Sequence, residues 1–134
     1  MTNTNRRKIE LKSEQGQALT EFALALPILA LLLFAVIQFG IVFNNYVTLT
    51  DATRAGARKA AVARRLSDPV GACVTAIRSS AKDLTPSKLS TSCASTWQAG
   101  ADVSVTATYP YNISLLGMVV KSGTLTSTTT ERVE

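Results

Sequence analysis

The stretch FALALPILALLLFAVIQFGIVF, residues 22–43, decides the fold. No charged side chain occurs from Phe22 to Thr50, and Gln38 is the one strongly polar side chain within the stretch. As a helix rising about 1.5 Å per residue it reaches roughly 33 Å, enough to cross the hydrocarbon core of a bilayer. The competing reading is the buried helix of a soluble protein. That helix would need cover on every side, and the 84 residues from Asp51 to Glu134 are too few to surround it. A secretory signal peptide fits no better. The run exceeds the usual apolar region of about 7 to 15 residues and ends without a small-x-small cleavage site followed by a polar start. The sequence therefore predicts a transmembrane helix over residues 17–50, kinked or loosened at Pro27, whose ring removes the hydrogen bond to the Ala23 carbonyl.

Working outward, residues 1–16 are polar and charged without apolar periodicity, which reads as a flexible leader. Downstream, Tyr46, Val47, Leu49, Ala52, Ala55, Gly56, Ala60 and Ala63 recur at helical spacing while Asp51, Arg54, Arg58 and Arg65 occupy other faces. This extends the helix to about Leu66. An Ala and Gly face lets a second helix approach closely, or covers the chain's own small domain; the pattern leaves both open. Asp68 and Pro69 read as the N-cap and first position of a second helix running to about Leu84, with Val70, Val74, Ile77 and Ala81 on its apolar side. Residues 85–101 read as a loop anchored by Leu89 and Trp97. The period then becomes two: Val103, Val105 and Ala107 alternate with Ser104, Thr106 and Thr108, and residues 124–133 alternate again. Two strands joined through residues 110–122 make an antiparallel pair, and Ile113 to Val120 is either a third strand or a loop lying against the membrane or a neighbour. The fold class is α+β: a long N-terminal transmembrane helix, then a small domain over residues 51–134 with a second helix and a C-terminal antiparallel β pair.

Composition excludes several functions. The net charge is +5, of which +2 lies before Gly16, and no basic face with interleaved aromatics occurs, so nucleic acid is not an expected partner. The chain has no histidine, the commonest general base and metal ligand. Serines and threonines near Lys82 and Lys88 read as solvated surface, not as a Ser-Lys catalytic pair. No enzymatic activity, metal or cofactor is expected, and the Asn112-Ile113-Ser114 sequon is assigned no role. Cys73 and Cys93 lie on the same side of the apolar run, share a compartment and can bridge, with topology deciding whether they do.

The most specific motif is Gly16-Gln17-Ala18-Leu19-Thr20-Glu21-Phe22, set between a short basic leader and the apolar run. It resembles a prepilin processing site. That resemblance implies that a membrane aspartyl peptidase cuts between Gly16 and Gln17, with Glu21 and Phe22 as the fifth and sixth residues of the mature chain. A physical argument stands beside it: a carboxylate drawn unpaired into hydrocarbon costs a few kcal/mol. The α-amino group freed at Gln17 would be its natural partner, and the N-terminal end of the helix macrodipole also favours it.

Glu21 to Pro27, the run ending Gln38-Phe39-Gly40, and Ala52-Thr53-Arg54-Ala55-Gly56-Ala57-Arg58 together resemble the TadE-like family, pseudopilins of tight-adherence (Flp) type IV pilus systems. The likeness is strong over residues 16–63 and weak over residues 73–98, and Gln38 stands where many relatives carry an acidic residue. It implies a minor pseudopilin acting in pilus assembly, initiation or anchoring, with a prepilin peptidase, other pilins or pseudopilins, tight-adherence assembly components and the lipid bilayer as partners. It also implies topology, on which the positive-inside rule is silent: four Lys or Arg lie in the leader and five from Arg54 to Arg65. The leader, residues 1–16, is then cytoplasmic and cleaved, and residues 51–134 lie outside the inner membrane, where Cys73 and Cys93 can oxidise. The second reading is a signal-anchored single-pass protein that keeps its leader and presents an extracytoplasmic binding domain.

Overall fold

The computed structural model describes residues 4–115 and 117–134, with side chains described from Gly16 onward. The chain forms two compact units, residues 1–37 and 38–134. Helix α1 (Thr4–Ala61) contributes to both. In the first unit the described backbone is α1 alone; the Gly16–Ala61 part of α1 is long and apolar enough to cross a membrane, and its most apolar 18-residue stretch is wholly unburied.

The helix begins inside the segment expected to be a leader without structure. Residues 4–15 contain neither Gly nor Pro and are rich in Arg, Lys, Glu, Gln and Leu, all good helix formers. Adding them to an existing helix avoids the cost of nucleation. Residues 1–3, and the side chains of residues 4–15, lie outside the described residues.

In the second unit α1 stops at Ala61, short of the Leu66 predicted from the pattern. The Glu134 N–H donates to the Ala61 carbonyl at 2.9 Å, and tight turns follow, Ala63 N–H to Ala60 and Leu66 N–H to Ala63. The chain's last residue thus takes a carbonyl exposed at the helix end. Helix α2 (Pro69–Ser80) starts as predicted, with the Asp68 carboxylate accepting from the Gly71 N–H at 2.8 Å. It ends before Leu84, because the chain turns at Ala81 and buries both Ala81 and Leu84.

A short 3-10 turn (Pro86–Lys88) leads into three strands, β1 (Ser90–Ala94), β2 (Asp102–Leu115) and β3 (Met118–Arg132), antiparallel in the order β1-β2-β3. The segment expected to be loop therefore supplies the third strand. Ser90 to Ala94 pair with Thr108 to Ser104 at the sheet's edge, where only half a face is buried and the apolar alternation that marks a strand is absent. Ile113 to Val120 is neither a third strand nor a loop. It is the far end of the β2–β3 hairpin, with an irregularity between Ile113 and Ser114 and a turn at Gly117, whose φ of 83° suits glycine.

Val103, Val105, Ala107 and Tyr109 all point from β2 into the core, meeting Leu49, Ala52, Ala57 and Ala60 of α1 and Cys73 and Ile77 of α2. The small-residue face of α1 therefore covers the chain's own domain. Gly56 carries the closest approach: a Cβ there would run into the Ile77 side chain and reach Val105 Cγ1 at 3.4 Å. Cys73 of α2 and Cys93 of β1 form a disulfide, with 6.6 Å between Cα atoms. One polar pair is buried within this core, Thr53 Oγ1 and Ser127 Oγ at 2.8 Å. The Thr53 hydroxyl also lies within hydrogen-bonding distance of the Leu49 and Thr50 carbonyls.

Gly56→Ala is expected to destabilise this unit by about 1–3 kcal/mol through overpacking. Adding Ile77→Val removes only Cδ1, which a Cβ at residue 56 would meet at 3.0 Å, and leaves Cγ1, which it would meet more closely, so it should recover little of the loss. Thermal melts of the detergent-solubilised chain and both variants check this, and equal melts for all three would show that the gap at Gly56 is not tight.

Candidate functional site

The segment Gly16–Phe22 lies on α1, exposed throughout. Its side chains bond locally: Gln17 Nε2 donates to Glu21 Oε1 at 3.2 Å, and Thr20 Oγ1 donates to the Gly16 carbonyl at 2.9 Å. The i, i+4 spacing of a helix puts Gln17 directly below Glu21, so residue 17 and the carboxylate are neighbours without rearrangement of the helix. Among the described residues the one ion pair is Arg54 with Asp51, at 3.7 Å and exposed, so Glu21 has no cationic partner there.

The Gly16–Gln17 peptide is helical. A protease cleft that binds extended backbone has to unwind it, and glycine lowers the cost of unwinding by about 0.5–1 kcal/mol relative to alanine. An added Cβ at Gly16 meets nothing within 4 Å, and the same is true at Gly40. The folded chain therefore imposes no packing need for glycine at residue 16, unlike at residue 56.

Phe22 is exposed, as are Leu24, Leu26, Ile28, Leu29 and the other large apolar side chains through Phe43 except the half-buried Val42. Fully exposing such a side chain to water forfeits about 1.5–3 kcal/mol apiece, so this surface calls for lipid or apolar neighbours. Pro27 lies inside α1, which continues through it. The Ala23 carbonyl is left without its usual helix donor. Gln38 is half-buried within the second unit.

The structure brings together Gly16, Gln17, Glu21 and Phe22 on successive turns, and separately joins Cys73 to Cys93. Sequence reasoning missed the Thr53 and Ser127 pair. Its only signal was a threonine within the Ala and Gly face, too common to single out. Near the end of α1 two shallow depressions involve Arg58, Val62, Arg64, Arg65 and Glu134. Both are open to solvent and carry mixed charge. Among the described residues no cluster of His, Cys, Asp or Glu could hold a metal ion. Hydrogen bonding by the Thr85 side chain lowers the Tyr109 hydroxyl pKa from its ordinary value, against the opposing effect of burial and with help from the Thr85 backbone and the Lys88 charge.

A family model described as TadE-like protein matches residues 16–58. The match begins at Gly16 and ends at Arg58, before α2 and the sheet. No curated protein and no solved structure matches the chain.

Gly16→Ala is expected to leave the fold intact and to slow amide hydrogen exchange around residues 16–20 by roughly two- to fivefold, the equivalent of about 0.5–1 kcal/mol of added helix stability. Exchange measured by mass spectrometry on the detergent-solubilised chain checks this. Faster exchange in the variant would mean that glycine stabilises the helix there.

Proposed function

Taking residues 16–58 as TadE-like sequence, we propose that this chain is a minor pseudopilin of a tight-adherence pilus system, a single-pass inner-membrane subunit acting in pilus assembly, initiation or anchoring. The observation that carries the reading is the family match laid over a helix that bears Gly16, Glu21 and Phe22 immediately ahead of an unburied apolar stretch.

In this reading the leader faces the cytoplasm and a prepilin peptidase cleaves between Gly16 and Gln17. The peptidase first has to open a turn of helix, and Gly16 is the weak point at which it opens. Cleavage adds water across one peptide bond and leaves a carboxylate on Gly16 and an ammonium on Gln17. That ammonium lies one turn from Glu21 on its own chain and within reach of Glu21 on a neighbouring subunit. Pairing neutralises the carboxylate and lets the helix slide into an apolar bundle at lower cost. Phe22 and the side chains after it supply the lipid-facing or bundle-facing surface, and Pro27 is a bend or packing position near its start. The domain over residues 51–134 stands outside the cytoplasm, where the Cys73–Cys93 bridge is at home.

The continuous helix through Gly16 and Gln17 favours a second reading, a signal-anchored protein that keeps its leader and presents its outer domain to a partner. The mass of the N-terminal peptide separates the two. In cells holding the matching peptidase, the pseudopilin reading expects a chain starting at Gln17, and a chain retaining residues 1–16 rejects it.

Gly16→Phe should accumulate as inserted, uncut precursor; a processed product would reject the assigned site. Glu21→Ala should insert normally but pilate poorly, since losing about 1.4 kcal/mol at one contact lowers an assembly constant about tenfold. Piliation at the normal level would remove the pairing role. Both cysteines should resist alkylation in cells until a reductant is added, and Cys73→Ser with Cys93→Ser should lose about 3 kcal/mol of stability. Free thiols in the native chain would place the domain in a reducing compartment.

A further inference from the structure

The far end of the β2–β3 hairpin carries apolar side chains that nothing in the described chain covers. Met118 is 70% exposed, and Val119 and Val120 are 62% exposed. Adjacent strand residues point to opposite faces, so Val119 and Val120 put an apolar side chain on each face at the tip, while Asn112, Ser114 and Ser122 line the face opposite Ile113. Tyr111, Ile113 and Leu115 on the facing strand are half-buried. Pairing with β1 reaches only to Thr108, so beyond it the two strands stand alone, a form that is marginal in water. Lys121 is the only charged side chain between Asp102 and Glu131.

Three contacts within the second unit set the hairpin's direction. The Glu134 N–H meets the Ala61 carbonyl, a Cβ on Gly56 would touch Val105, and Thr53 pairs with Ser127. Moving toward the N-terminal end of α1 is therefore moving toward the hairpin's tip. From Thr53 to Ala61 the helix rises about 12 Å while β3 and the end of the chain, from Ser127 to Glu134, advance about 23 Å. Each strand residue thus gains roughly half its length along the helix. The remaining steps from Ser127 back to Met118 carry the tip about 15 Å further, to the level of Phe43. Phe43 closes the apolar run, and Asn44, Asn45 and Tyr46 follow it, a polar and aromatic border suited to a membrane interface.

We propose that the tip formed by Tyr111, Ile113, Leu115, Met118, Val119 and Val120 inserts into the boundary between headgroups and acyl chains of the same bilayer that α1 crosses. The proposal rests on the membrane reading of α1. A lipid surface is the occupant because the exposed apolar side chains Met118, Val119 and Val120 gather at the very end of the ribbon. The polar Asn112, Ser114 and Ser122 lie behind them on one face, as suits a tip that enters a membrane boundary end-on. The tip is level with the end of the span. Its one charge is a cation, free of neighbouring acids and matched to anionic headgroups. The domain is then held at two points, the helix and the hairpin.

The test uses the full chain carrying Trp97→Phe, reconstituted into vesicles of phosphatidylcholine and phosphatidylglycerol in equal parts, with some acyl chains brominated near the headgroup. Single probes are placed by Met118→Trp at the tip, Phe39→Trp in the span about 6 Å inside Phe43, at the depth of the bromines, and Thr130→Trp on the exposed sheet. The tip probe should be quenched at least about twofold more than the sheet probe, as expected for a side chain about 5–10 Å into the boundary. A quenched span probe with a tip probe at the sheet level overturns the hairpin proposal and leaves the span standing. An unquenched span probe overturns the membrane reading, and the hairpin proposal with it. A tip probe shielded from aqueous acrylamide yet untouched by brominated lipid assigns the tip to a protein neighbour and overturns the proposal.

Discussion

Along the last turns of α1 the absence of a side chain at Gly56 lets Ile77 of α2 and Val105 of β2 come up against the helix backbone. Much of the second unit depends on this approach. It brings Ala52, Ala57 and Ala60 within packing distance of the sheet, and those residues have no longer side chains with which to bridge a gap. It also lets Thr53 and Ser127 satisfy each other in a place water does not reach. A buried hydroxyl without a partner costs about 1–3 kcal/mol, so the pair helps to hold the register between helix and strand as well as its stability. At the helix end the Glu134 N–H closes on Ala61, and the last strand is tied to the same helix against which the core is built.

One helix therefore does two kinds of work with two compositions. Between Phe22 and Phe43 its large side chains are nearly all exposed; between Leu49 and Ala60 the inward face is mostly small and buried. Large aliphatic side chains suit a surface whose solvent is hydrocarbon, where they cost nothing to expose. Small ones suit a surface on which the backbone itself has to meet a sheet. The Cys73–Cys93 bridge adds a covalent restraint between α2 and β1, useful to a domain too small for a large core.

Much of this was readable from the chain. The apolar run was legible as helix because it is long and Gln38 is its one strongly polar side chain, and Asp68 with Pro69 opened α2 where capping chemistry requires. The alternation of Val103, Val105 and Ala107 marked β2 and its buried face. Ser90 to Ala94 was invisible because an edge strand of Ser, Thr, Cys and Ala carries no apolar alternation and forms only because β2 offers it a partner. The end of α1 was misjudged by a few residues, since neither Gly nor Pro occurs between Ala57 and Asp68 and the Ala61 carbonyl is taken by the N–H of Glu134, a residue remote in sequence. In the candidate segment, Gly16, Gln17, Glu21 and Phe22 were singled out by their resemblance to a processing motif, and of these only Gln17 and Glu21 stand at the i, i+4 spacing that makes helical neighbours.

Local chemistry, then, determined the apolar helix, the cap of α2, the β alternation and the motif ahead of the span, since each depends on residues within a few positions of one another. Tertiary structure decided which partner the Ala and Gly face of α1 meets, where that helix stops, and that a polar edge segment becomes a strand. It also decided where the hairpin's apolar end comes to lie. Those outcomes turn on groups brought together from distant parts of the chain, and their energies exist only once the sheet has closed against the helix.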